Sequence, residues 1–143
     1  MFIGEYSHTI DAKGRLIIPS KFREELGDNF VVTKGLDGCL FVYTKEEWNL
    51  LHDRLKGLPL TNSNTRRLNR FFLASASNGE IDKQGRVLVP AVLREFAKIE
   101  KDVVLIGVGN RIEIWDKVAW ENGSNYSDMD DIAEQMAELG FQI

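Results

Sequence analysis

The feature that most constrains this chain is an internal duplication. Ile10-Asp-Ala-Lys-Gly-Arg-Leu-Ile-Ile-Pro-Ser-Lys-Phe-Arg-Glu24 aligns with Ile81-Asp-Lys-Gln-Gly-Arg-Val-Leu-Val-Pro-Ala-Val-Leu-Arg-Glu95, with 7 of 15 positions identical at an offset of 71. After a one-residue insertion the match continues: Gly35 meets Gly107, Leu40 meets Ile112, Tyr43 meets Trp115, Lys45 meets Lys117 and Trp48 meets Trp120. Fixed-period similarity of this kind marks a repeated supersecondary unit. Two units of about 70 residues are therefore expected, residues 1–72 and 73–143.

Each unit has the same local grammar. Tyr6-Ser-His-Thr-Ile10 alternates as a strand does, and Asp11-Ala-Lys-Gly14 suits a tight turn, with Asp at the first position and Gly at the last. Arg15–Ile18 returns as a branched strand, so a hairpin is expected. Pro19 opens a short helix over Ser20–Leu26 that Gly27 stops. Phe30–Thr33, a turn at 35–38, and Cys39–Tyr43 predict a second hairpin. Thr44 with Glu47 three residues on reads as a capping box for a helix through Leu55. The second unit repeats the plan: strands near 80–82, 86–89, 103–108 and 111–115, a helix near 91–97, and a turn opening at Asp116.

Two more helices are expected. Thr65–Ala74 carries Leu68, Phe71 and Phe72 on one side, with Arg66, Arg67 and Arg70 around it. Ser127–Leu139 carries Met129, Ile132, Met136 and Leu139 at helical spacing among acidic residues, with Ser127 as its N-cap. Opposite charge and matched apolar stripes suggest that these two helices meet, within a chain or between chains. Trp48, Trp120, Tyr43 and Trp115 read as packing residues, and Cys39, in an apolar strand, as inert. His8 beside the first turn is read as strand-exposed.

Composition narrows the function. With 43% hydrophobic and 28% charged residues, a folded core is expected. No apolar run has the length of a membrane span. Met1–Glu5 lacks a basic segment leading into an apolar stretch, so no secretory signal is read and the cytoplasm is the expected address. The single Cys39 excludes an internal disulfide, and with His8 and His52 apart no zinc site is credible. No nucleophile elbow, phosphate-cradling loop or Ser/His/Asp set is present, so no enzyme, cofactor or small-molecule substrate is expected. Net charge is −4, but residues 1–72 carry 11 Lys and Arg against 9 Asp and Glu, while residues 73–143 carry 7 against 13. Any face for a polyanion must be local and lie mainly in the first half.

The candidate site is the repeated turn, Asp11, Gly14, Arg15 and Asp82, Gly85, Arg86, joined by Lys13 and Lys83. Glycine permits sharp reversal and close approach of the backbone to a partner. The cations suit phosphate, and the forked donors of Arg15 and Arg86 suit guanine edges in a major groove. Arg23 and Arg94, four residues after their prolines, could brace the turn or touch phosphate. The competing reading is structural: Asp11 and Asp82 pair with Arg15 and Arg86 to hold the turn.

The longer pattern Gly-Arg-h-h-h-Pro-x-x-h-Arg, with h an aliphatic or aromatic residue, carries a resemblance. Together with Met1-Phe2-Ile3-Gly4, Tyr6 and His8, Asp11–Pro19 with Phe22-Arg23, and Asp82–Pro90 with Leu93-Arg94, it resembles the MraZ family, itself similar to AbrB-like swapped-hairpin transcription factors. The resemblance covers essentially the whole chain. It implies an α+β fold in which two pseudo-repeated hairpin/helix units form a swapped-hairpin β-barrel with peripheral helices. It also implies a ring-shaped homo-oligomer, nucleoid-associated, that binds double-stranded DNA. The target implied is a set of short direct repeats upstream of the division and cell-wall gene cluster. The DNA-binding role falls on Arg15 and Arg86. Gln84 stands where the first copy has Lys13, so the second turn is expected to be the weaker contact. The alternative is an antitoxin-type module acting mainly through a protein partner.

Overall fold

A computed structural model describes residues 1–143. The chain is α+β, with two antiparallel sheets and six α-helices. The strands are β1 (Phe2–Thr9), β2 (Arg15–Ile17), β3 (Asn29–Lys34), β4 (Leu40–Thr44), β5 (Ser77–Glu80), β6 (Arg86–Leu88), β7 (Asp102–Gly109) and β8 (Ile112–Asp116). The helices are α1 (Ser20–Leu26), α2 (Lys45–Lys56), α3 (Ser63–Ser75), α4 (Ala91–Phe96), α5 (Lys117–Gly123) and α6 (Met129–Met136).

Most local expectations hold. The Ser20–Leu26 helix ends at Gly27, whose φ of 76° is one that glycine adopts freely. The hairpin of β3 and β4 forms with Val32 opposite Val42. The Thr44 hydroxyl accepts from the Glu47 N–H at 3.1 Å, the forward half of a capping box.

Pairing corrects the first expected hairpin. β1 and β2 do not pair, and only Ile10, just past the end of β1, bridges Leu16. β1 instead pairs along its length with β7 of the second half, from Phe2–Gly109 to Thr9–Asp102. Its counterpart β5 pairs with β3 of the first half. The six-stranded order β1-β7-β8-β4-β3-β5 is thus symmetric about the β8–β4 junction, each half lending its first strand to the other half's hairpin. β2 and β6 form a separate two-stranded ribbon, one strand from each half. A strand of three residues buries too little by itself, and the repeat partner supplies the matching face. The larger sheet is open, with β1 and β5 at its edges, so strand pairing does not close the barrel that the resemblance implies.

Alternation explains the core. Leu40 and Val42 of β4 face the main cluster, while Cys39, Phe41 and Tyr43 face a second one with Leu55 of α2 and Phe72 of α3. β4 is therefore buried on both faces. The main cluster draws Leu16, Ile18 and Phe22 from the first half and Val87, Val89 and Leu93 from the second, placing the ribbon and its two short helices on one sheet face.

Other expectations shift. The turn at Asp116 leads into α5, which carries Trp120, and the Asp116 carboxylate caps it by accepting from Ala119 N–H at 3.2 Å. Ser127 does not cap the last helix. Its N–H donates to the Asn125 side chain at 3.1 Å, and the helix starts at Met129 after Asp128 with no side-chain cap. Within the chain no ion pair joins α6 to α3, and no residue of α6 is buried. Tyr43 is buried, and Trp48 and Trp115 pack against the second cluster. Trp120 lies 5.5 Å from Trp115, centroid to centroid. No helix is long and apolar enough to cross a membrane.

Candidate nucleic-acid interface

The β2–β6 ribbon places the candidate residues. Its register sets Arg15 opposite Leu88, Leu16 opposite Val87 and Ile17 opposite Arg86. Period-2 alternation sends Leu16 and Val87 into the core, both essentially without exposure. The same alternation turns Arg15, Ile17, Arg86 and Leu88 outward. Arg15 and Arg86 are diagonal neighbours, roughly 7–8 Å apart at that pairing. Both line one shallow groove with Ser77, Asn78 and Glu80. Two arginines 71 positions apart in sequence thus share a face.

Each arginine emerges from an aspartate-closed turn. Gly14 N–H donates to Asp11 C=O at 2.9 Å, and Gly85 N–H to Asp82 C=O at 3.0 Å. One Asp11 carboxylate oxygen accepts from the backbone N–H of Lys13 at 3.0 Å and of Arg15 at 2.8 Å. The other accepts from Arg15 Nε at 2.6 Å. Asp82 does the same with Gln84 at 2.8 Å, Arg86 N–H at 2.9 Å and Arg86 Nε at 2.9 Å. The backbone N–H bonds from Arg15 and Arg86, foremost, hold both carboxyls below their ordinary value. The aspartates are therefore structural, as the competing reading holds. They take only Nε, however, and the terminal Nη donors of both arginines have no partner within the chain. The side chains stay 36% and 25% exposed while each is paired to its aspartate through Nε.

The glycines act differently from expectation. Gly14 and Gly85 are buried, so they do not form part of a contact surface. A Cβ on Gly85 would collide with Arg23 Nη1, and one on Gly14 would lie 2.9 Å from Arg94 Cζ and 2.8 Å from Val89 O. The close approach glycine permits is therefore to an arginine of the opposite repeat. Arg23 of the first half braces the second turn, and Arg94 of the second half braces the first. Backbone bonds follow the same crossing: Ile18 N–H donates to Gly85 O at 2.9 Å and Val89 N–H to Gly14 O at 2.8 Å. The braces are not equal. Arg94 Nε donates to Val89 O at 3.0 Å, whereas Arg23 Nε is buried without a partner.

Lys13 and Lys83 are exposed on the turns. Sequence reasoning missed Ile17 and Leu88, 42% and 60% exposed beside the arginines. The alternation of Arg-Leu-Ile-Ile, with Leu16 and Ile18 inward, was the pattern that places Ile17 outward. An arginine pair with free forks, two flanking lysines and two exposed aliphatic groups can meet phosphates, base edges and thymine methyls.

Comparison with known proteins agrees with the duplication. A family model described as "MraZ protein, putative antitoxin-like" matches residues 1–71 and again 72–140. The chain is 61% identical over 141 residues to a protein of Thermoanaerobacter sp. (strain X514) named transcriptional regulator MraZ, covering 97% of this chain and 99% of that one. A protein of the same name from Clostridium acetobutylicum is 60% identical over 141 residues, covering 98% and 99%. Another from Lachnoclostridium phytofermentans is 56% identical over the full length of both. With the motif-bearing turns present in both halves and relatives matched end to end, the chain belongs to the MraZ family.

Proposed function

We propose that this protein is a transcriptional regulator that binds double-stranded DNA sequence-specifically through the outer face of the β2–β6 ribbon. One observation carries the reading: Arg15 and Arg86, one from each repeat, stand side by side with their Nη donors free. The names of its relatives support the regulatory role. Arg15, Arg86, Lys13 and Lys83 make the contacts, with Asp11, Asp82, Arg23 and Arg94 positioning them. The first turn is the stronger contact because Gln84 replaces the lysine of the first copy. The two halves, residues 1–72 and 73–143, work as intertwined units. The protein acts in the cytoplasm, on the nucleoid, as a ring-shaped homo-oligomer. Its target is a set of short direct repeats upstream of the division and cell-wall gene cluster.

Oligomerisation has a physical motive. Four cations per chain release at most about four counterions, giving a log–log salt slope near −3.6 for one subunit on B-DNA. Several linked subunits on repeated sites gain through effective concentration.

The test is a gel-shift titration over salt, using a duplex with the promoter repeats and a scrambled control. Arg15→Ala should weaken binding by about 1–3 kcal/mol, roughly 5- to 150-fold, and Arg86→Ala by less. Binding that survives both substitutions refutes the assignment. The antitoxin-type reading draws on the family description and on the exposed Ile17 and Leu88. It would be favoured by a protein partner lost on Leu88→Asp in a chain that binds neither duplex.

A further inference from the structure

We propose that α6 of one copy docks on a second copy, in the groove between α3 and the turn Leu36–Gly38. The proposal extends the oligomer reading to a named interface and requires no DNA.

The groove, about 290 Å³, is lined by Leu36, Asn64, Arg67, Leu68 and Phe71. Its four α3 residues lie at i, i+3, i+4 and i+7, one helix face. Leu36 is 52% exposed at its edge. Cations rim it: Arg67 forms part of the wall, Arg70 stands one turn on, and Lys34 Nζ lies 5.9 Å from the centroid of the Phe71 ring. Neither Arg67 nor Arg70 is ion-paired.

α6 has the complementary pattern at the same spacing. Met129, Ile132, Ala133 and Met136 form its apolar stripe at i, i+3, i+4 and i+7, with Asp130 and Glu134 flanking. No lysine or arginine follows Lys117 in the sequence. None of the acidic residues of α6 is ion-paired within the chain. Met129 and Met136 stay 40% and 38% exposed. The helix is thus formed and unburied while the groove of the same chain stands open. The chain covers each surface only in part, with Ile132, Ala133, Leu68 and Phe71 half-buried, and a second copy offers a surface of opposite charge and equal periodicity. The apolar floor of Leu36, Leu68 and Phe71 fits methionine side chains while the cations at its rim meet carboxylates, whereas phosphate would use the rim alone, so a second copy is favoured over DNA. A contact between two different patches is heterologous, the type that closes into rings.

Crosslinking tests it. A tagged Leu68→Cys chain is mixed with an untagged Met136→Cys chain and oxidised; Cys39 is buried and stays out of the reaction. A mixed disulfide band of intermediate mass is expected, and it can arise only between copies. In parallel, Arg67→Glu/Arg70→Glu should lower native mass in light scattering, and adding Asp130→Arg/Glu134→Arg should restore it. Restoration separates charge pairing from misfolding. No mixed crosslink, with native mass above a monomer, would place the oligomer contact on another face and overturn the proposal. The DNA reading would survive that result, because its assay concerns Arg15 and Arg86. Loss of DNA affinity on Arg67→Glu/Arg70→Glu with unchanged mass would assign those arginines to DNA and overturn it equally.

Discussion

The crossing of arginines over glycines makes a sharp stability prediction for Gly14→Ala. Gly14 holds φ at 88°, where an L side chain costs about 1–2 kcal/mol. The new Cβ would lie 2.8 Å from Val89 O, a backbone atom that cannot swing aside. Relief requires shifting the ribbon and weakening the Val89 N–H to Gly14 O bond, worth about 0.5–1.5 kcal/mol. The expected loss is therefore about 2–3 kcal/mol. For a chain of this size that lowers Tm by roughly 5–12 °C, read by circular dichroism at fixed protomer concentration. Gly85→Ala should cost less. It also has a positive φ, 78°, but its nearest obstacle is the far end of Arg23, which can move. A double-mutant cycle makes the cross-repeat contact visible. Gly85→Ala with Arg23→Ala should couple by about 0.5–3 kcal/mol, since removing Arg23 removes the obstacle. Gly14→Ala with Arg23→Ala should be additive within about 0.5 kcal/mol. Additivity in the first pair, or a Gly14→Ala loss below about 0.5 kcal/mol, would refute the crossed-brace reasoning.

Three further outcomes follow from the same structure. Asp11 and Asp82 are held below 3.8, chiefly by backbone N–H bonds of Arg15 and Arg86. Their contribution to the turns is present above 3.8 and fades as pH falls through the lower folded values, so carboxyl NMR titrations should give midpoints below 3.8 for both. Midpoints at or above 3.8 would show the turns open. Burial pushes the Cys39 thiol up to about 12, so native protein at pH 8 should resist a maleimide that labels it fully once denatured. Thr33 is buried and donates to Phe72 C=O at 2.7 Å, tying α3 to β3. Thr33→Val should cost about 1–2 kcal/mol in denaturant unfolding.

The local elements were legible because their causes are local. Gly27 stops a helix, Thr44 caps one, and the branched run after Arg15 extends, whatever the rest of the chain does. Partner choice was not legible. Tyr6–Ile10 and Arg15–Ile18 with a four-residue turn between them have the composition of a hairpin, yet β1 pairs with β7 and β2 with β6. Register is decided by which apolar faces can be buried together, a nonlocal matter. The candidate arginines were legible from the duplication, but their meeting on one face was not, because the ribbon that joins them spans both repeats. The same holds for Arg23 and Arg94, whose partners lie in opposite halves. Ser127 misled because a serine before an apolar stripe is a common cap, whereas the helix starts one residue later, with Asp128 in the cap position.

The duplication also bears on what kind of DNA site the proposed reader could use. A pseudo-twofold axis passes between Leu16 and Val87, exchanging Arg15 with Arg86 and Ile17 with Leu88. A homodimer of one unit would have true symmetry there and would favour a palindrome. In a single chain the two copies are free to differ, and they do. Lys13 corresponds to Gln84, and Arg94 Nε is bonded where Arg23 Nε is not. The ribbon therefore has a direction, and a site fitted to it has one too. Copies carried head to tail by a heterologous contact would present that direction repeatedly in the same sense. Under the proposed head-to-tail contact, direct repeats would meet every ribbon in its preferred sense, and inverted ones would set half the ribbons against it.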